Sequence, residues 1–402
     1  MAIFINGKTV RKSFVQSFCK FKKISECSNE YISEVIILKN TQTINSLKNE
    51  RLDYLDVVKG ISTLLVIFCH TVTIDTAFHN CYLYFMLPVF FYVTGVLLAH
   101  NPSFFKLGYL ENLKKNALAI LYPYFTFSIL SIIAFFCKEI FITNNDFFTI
   151  IHLLKDIVKY TILLYGYSAL WYLPTLFFSK IIFIFFEKKS VNKWIVILLS
   201  IIISSVLSVC VSQFSGALKV VMVLVSRTLI GLFFIYIGYI TYPFFLQKKE
   251  TKKKQYFCSI ISLFAFVLIT IPCYFLSRVD IRYSYLGNPV LFYPIATISS
   301  LSLITLCKYL LKNCKFLAYI GKHSLVIFAT HLSCELISLS WLLLSLVNKI
   351  LQKLTLFTID NDLILCLFVF VITTLVELLI IVPIMNKHFK FILILPNKNK
   401  KK

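Results

Sequence analysis

Apolar residues occupy this chain in long blocks, not in the strict alternation of half-buried strands. Ten blocks have the length of a membrane crossing: about 54–73, 82–100, 117–137, 168–186, 194–211, 220–245, 257–276, 289–307, 323–347 and 363–385. A hydrocarbon layer about 30 Å thick takes roughly 20 helical residues to cross, so each block predicts a transmembrane helix. A further stretch at 150–165 has the length of a re-entrant or surface helix. The expected fold is all-α, a polytopic integral membrane protein with about ten spans.

Composition supports this reading. Of 402 residues, 58% are hydrophobic and 16% aromatic, with a mean hydropathy of +0.82, more apolar surface than a soluble core of this length can bury.

The net charge of +23 would suit a nucleic-acid binder, but its distribution favours a topology signal. With the N-terminus placed in the cytoplasm, the inner loops 101–116, 187–193, 246–256 and 308–322 hold 3, 3, 5 and 4 lysines plus arginines. The outer loops 74–81, 138–167, 212–219, 277–288 and 348–362 hold 0, 3, 1, 2 and 2. Fifteen against eight fits the positive-inside rule with both termini cytoplasmic, and makes anionic headgroups the partner of the basic loops. A multi-pass protein of the cell membrane, with no nucleic-acid partner, is expected.

Residues 1–50 are polar and basic and lack an apolar region followed by a small-residue cleavage site. They predict a cytoplasmic extension, surface-associated or disordered, ahead of a transmembrane domain at 51–386 and a basic tail at 387–402. The twelve cysteines are scattered singly, without metal-ligand spacing, so no metal is expected. Neither a GxGxxG fingerprint nor a P-loop is present, which disfavours a nucleotide-driven pump.

Against this apolar background, the first span carries a polar stripe. At 100° per residue, Lys59 and His70 lie about 20° apart on the helical wheel and roughly 16 Å apart along the axis. Asp56 and Thr63 fall on the same stripe. An ionisable group at membrane depth is costly, so His70 marks a functional site. The bland alternative is an Asp56–Lys59 pair at i, i+3, with His70 bonded to a neighbouring helix.

Segment 51–70 resembles the opening of the integral-membrane acyltransferase family 3 proteins, in particular their fucose 4-O-acetylase-like branch. Those proteins carry a basic residue and a histidine in the first span with ten positions between them, as Lys59 and His70 stand here. Further likenesses follow in family order: PVFFYVTG at 88–95, WYLPTLF at 171–177, Arg227 to Gly231 with Phe233, Phe234 and Gly238, and GKHSLVIF at 321–328 with His331. The loop after the second span departs from the family by offering Lys106, Lys114 and Lys115 in place of an arginine-rich motif.

The resemblance implies acyl transfer, usually of acetyl from acetyl-CoA to a hydroxyl of a sugar or cell-envelope glycan. Lys59, with Asp56 beside it, would then form a basic mouth for the CoA phosphates, with His331 lining the cofactor tunnel from the cytoplasmic end of its span. His70 would take the proton of the attacking hydroxyl. Asp75 could orient it only if the helix unwinds first, because i and i+5 lie about 140° apart. Arg227 could stabilise the oxyanion, or could pair with Glu335 or Asp75. Trp171 reads as an interfacial anchor or a face for a sugar, with Glu335 as its companion on the acceptor side. Ser324 reads as a helix cap, and Glu377 as a buried partner for a basic group. The rival class is a transporter or flippase for a glycan or lipid intermediate, using the same stripe as its path.

Overall fold

The structure is a computed structural model that describes residues 51–72, 77–143, 146–247, 250–353 and 361–393. The extension at 1–50, Asp75 and most of the basic tail lie outside them. Among the described residues every regular element is helical; besides three short turns of helix the elements are α1 (Asp53–Thr71), α2 (Ala77–His100), α3 (Tyr109–Thr143), α4 (Phe147–Ile162), α5 (Ser168–Lys188), α6 (Lys193–Gln213), α7 (Gly216–Leu246), α8 (Lys252–Phe275), α9 (Pro289–Leu311), α10 (Lys315–Lys322), α11 (Ser324–Thr330), α12 (Leu336–Lys353) and α13 (Asp362–Lys387). Several of these contain a tighter or wider turn, as where Pro88, lacking an N–H, opens the second half of α2. The chain is an all-α polytopic membrane protein.

Nine of these helices are long and apolar enough to cross a membrane; α4, α10, α11 and α12 are not among them. The block at 323–347 differs from the expected unbroken span. It divides at His331–Glu335 into α11 and α12, and Glu335 adopts a positive φ of 60°. Such backbone is tolerated at membrane depth only where its polar groups find partners. Here the Cys334 and Ile337 amides donate to the carbonyls of Thr330 and His331. The stretch near 150–165 is α4, whose N-terminus is capped by Asp146 through the Thr149 amide.

Burial ranks the helices by their place in the bundle. α2 buries 78% of its apolar window inside the protein and α8 only 22%, so α2 belongs to the interior and α8 faces lipid. Two close crossings hold the interior together. α1 packs on α10, and a Cβ at Gly60 would land on the Leu317 carbonyl while one at Gly321 would land on the Asp56 carbonyl. α2 packs on α7 in the same manner, through Gly95 against Ile235 and Gly238 against Tyr92. Small residues at such crossings let backbones touch, which substitutes for the hydrophobic force that lipid does not supply.

Gly321→Ala and Gly60→Ala should each lower the thermal midpoint of the detergent-solubilised protein, by an overpacking cost of about 1–3 kcal/mol or more. Gly108→Ala is the control, because its Cβ would meet Glu111 at an ordinary 3.7 Å. Equal midpoints for all three variants would show that the crossings are not under steric constraint.

Candidate active site

The close approach at Gly60 and Gly321 fixes what meets further along the two segments. Ten residues beyond each glycine stands a histidine, His70 on α1 and His331 at the end of α11. Their rings lie 5.5 Å apart. His331 is therefore beside His70, not at the Lys59 end of the bundle where the sequence places it. The break at His323 between α10 and α11 keeps this register.

The tautomer of His331 follows from its partner. Nδ1 lies 2.8 Å from the Ile327 carbonyl, which can only accept, so Nδ1 carries the proton. Nε2 of this fully buried ring then presents its lone pair and finds no partner among the described residues. His70 is half-buried and turned into the protein, where it lines a cavity of about 120 Å³ with Trp171, Arg278, Asp280, Arg282 and Tyr283.

A second cavity, of about 230 Å³, lies at the Lys59 level and is lined by Lys59, Thr94, Ser324 and the rings of Phe90, Tyr172 and Phe328. The two cavities use successive positions of the same segments: Lys59 and His70 on α1, Phe90 and Leu87 on α2, Tyr172 and Trp171 on α5, Phe328 and Leu332 on and after α11. Between them stands a layer of rings. Tyr172 is 5.1 Å from Phe328 and 5.9 Å from Phe90, and Phe328 is 5.9 Å from His331. The hydrophilic stripe of α1 thus serves two chambers divided by aromatic side chains.

The other polar residues fall into place around these levels. Lys59 pairs with Asp56 at 2.7 Å, the i, i+3 pair the sequence allows, and the Lys59 carbonyl accepts from the Thr63 hydroxyl. The Lys59 side chain also borders the lower cavity, so the ion pair does not withdraw it from that chamber. Trp171 is buried and faces the upper cavity, which rules out an interfacial anchor and leaves its indole available to a ligand.

Arg227 is not among the residues lining either cavity. It is fully buried behind Trp171, its guanidinium carbon 5.2 Å from the indole centroid and 4.7 Å from the Tyr165 ring. Its nitrogens donate to the carbonyls of Tyr165 at 3.1 Å and Arg282 at 3.4 Å. Glu335 pairs instead with Lys138 at 3.1 Å, accepts from the Ser338 hydroxyl, and lines neither cavity. Glu377 is fully buried and accepts from the Thr330 hydroxyl at 2.8 Å, next to His331. No group of three or more potential metal-ligating side chains forms among the described residues. Sequence reasoning missed Arg278, Asp280, Arg282 and Tyr283, although two arginines in a loop expected outside already run against the charge bias.

Fold and site together define a multi-pass membrane protein with an inward-facing imidazole pair set above a chamber bordered by Lys59. The acyltransferase domain model of family 3 matches residues 52–382, and the chain belongs to that family: it is a membrane acyltransferase. Neither curated proteins nor solved structures give a match.

Removing Arg227 should cost stability first, because two carbonyls that accept from it would lose their donor, at about 1–3 kcal/mol for each left unsatisfied. Arg227→Met is therefore expected to unfold at lower temperature in detergent than the wild type. An unchanged midpoint would return Arg227 to consideration as a group that acts only during catalysis.

Proposed function

We propose that the protein transfers an acetyl group from acetyl-CoA to a hydroxyl of a cell-envelope sugar or polysaccharide, with His70 as general base. The observation that carries this is the stacking of two chambers on one helix, one bordered by the Lys59 ammonium and the other by the His70 imidazole. Acetyl-CoA is polyanionic at one end and reactive at the other. Lys59 suits its phosphates as a point charge at the lower chamber. The roughly 16 Å from Lys59 to His70 suits a pantetheine arm laid along α1. The ring layer of Phe90, Tyr172 and Phe328 lies on that path, so the arm passes by displacing at least one ring.

The sugar enters the upper chamber, where Trp171 and Tyr283 supply faces for it. Its hydroxyl oxygen attacks the thioester carbonyl while His70 takes the hydroxyl proton. The tetrahedral intermediate collapses with cleavage of the C–S bond. The proton then passes from the imidazolium to the departing thiolate, leaving an O-acetyl ester and free CoA thiol. His331 is the positioning residue in this reading: its ring, held by the Ile327 carbonyl, packs against His70 and limits how that imidazole can turn. Lysines of the 101–116 loop can add to the electrostatic attraction of the donor.

Membranes containing the protein should move label from acetyl-CoA to an envelope glycan, and His70→Ala should slow this by about 10²–10⁴-fold without loss of folded protein. Normal labelling by that variant would remove His70 from the chemistry. Movement of glycan across the membrane without acetylation would favour a transporter.

Lys59→Ala should raise the KM for acetyl-CoA by about tenfold, the loss of one charge-assisted contact worth roughly 1.5 kcal/mol or more. An unchanged KM would place the CoA phosphates elsewhere.

A further inference from the structure

Arginine is rare in this chain: five of the 41 basic residues, at positions 11, 51, 227, 278 and 282, the rest being lysine. Three of the five gather at the upper chamber. Arg278 and Arg282 line it, and Arg227 holds the Arg282 carbonyl from behind. Where charge alone is wanted this protein uses lysine, so arginine marks places that need a planar fork of donors. The loop carrying Arg278 and Arg282 also lies at the His70 end, expected outside, where the positive-inside rule depletes basic residues. Topology therefore does not account for the pair.

The loop that carries them is built and anchored. Asp280 and Tyr285 exchange two backbone hydrogen bonds, and the turn between them ends with Ser284 at a φ of 60°. The Ser284 hydroxyl donates to the Val223 carbonyl of α7, and the Leu286 amide donates to the Ser208 hydroxyl of α6. Val279, Ile281 and Leu286 are buried beneath it. The one acid in the cavity lining, Asp280, accepts from the backbone amide of Arg282. Burial raises its carboxyl from the ordinary value, and the two neighbouring guanidiniums pull it partly back. Nε of Arg282 is buried without a partner among the described residues. Among the described residues the chamber lining thus sets two guanidiniums beside one acid, and the buried Nε of Arg282 is the donor left over.

We propose that Arg278 and Arg282 bind an oxyanion, a carboxylate or phosphate ester, carried by the acceptor sugar whose hydroxyl is presented to His70. The acceptor is then an anionic glycan. This rests on the acyltransferase reading of the same chamber and adds the acceptor's charge to it. Bidentate contacts would fix the sugar's orientation, with Trp171 against its ring and the reacting hydroxyl toward the imidazole. The donor does not compete for this pair, because its phosphates are assigned to the lysine-rich end.

Three probes of equal length test the proposal: a glucose oligosaccharide, a glucuronic acid oligosaccharide, and the glucose oligosaccharide bearing a phosphate monoester. Binding to the detergent-solubilised full chain is measured by calorimetry, and acetylation by label transfer in membranes. The expected result is at least tenfold tighter binding of one or both anionic probes, with a lower KM for the same probe. Arg282→Gln and, at the more exposed position, Arg278→Gln should each erase most of that preference. Arg282→Lys, which keeps the charge but loses the fork, should restore only part of it. Equal binding of all three probes by the wild type, or an anion preference untouched in both glutamine variants, would overturn the proposal. So would displacement of the anionic probe by added phosphatidylglycerol but not by phosphatidylcholine, which would assign the pair to a lipid headgroup. Arginine-dependent anion binding with no acetylation of any probe would leave the anion site standing and remove the acyltransfer chemistry instead.

Discussion

Two helix backbones can touch only where no Cβ stands between them, and this protein places that contact where its chemistry needs it. With hydrocarbon outside and hydrocarbon side chains inside, burial gives little reason for one helix to choose a particular neighbour or register. The contact of Gly60 and Gly321 with the Asp56 and Leu317 carbonyls supplies that choice for α1 and α10. The second pair, Gly95 and Gly238, does the same for α2 and α7. Since ten residues separate each of the first two glycines from a histidine, locking the crossing also locks the imidazole pair.

That lock lets buried polar groups sit where an isolated helix could not carry them. Asp56 and Lys59 neutralise each other within one turn, Lys138 and Glu335 do so between segments, and Thr330 satisfies Glu377. Arg227 is the extreme case, a fully buried guanidinium held by main-chain carbonyls and two aromatic faces. It stiffens the back of the Trp171 wall and the loop above. Its contribution to the site is one of position, since the indole separates it from the cavity.

Much of this was legible in the sequence. Length and hydropathy locate the spans to within a few residues because crossing a membrane is a one-dimensional requirement. The polar stripe of α1 is a periodicity of 3.6 and needs no neighbour to be seen. The position of His331 was not legible: its level depends on how α10 and α11 lie against α1, which is set by contacts far apart in the chain. The break after Thr330 was equally hidden, since 323–347 is apolar for most of its length and its irregular backbone is satisfied locally. Trp171 reads as an anchor from sequence because a tryptophan at the end of an apolar block often is one. Only packing shows it turned inward. Asp75 and the extension fall outside the described residues.

The aromatic layer between the chambers has a consequence for the cell as a whole. A bundle that holds cavities at two levels of the same helix would be a pore if they were joined, and a conducting pore would discharge the ion gradients on which a cell runs. Phe90, Tyr172 and Phe328 close that route with packed rings. Hydrated ions would have to shed their shells to pass such a plug, whereas a thin, flexible donor of the kind proposed above would need to displace only a ring. The same side chains that delimit the chambers thus also keep the bilayer electrically tight.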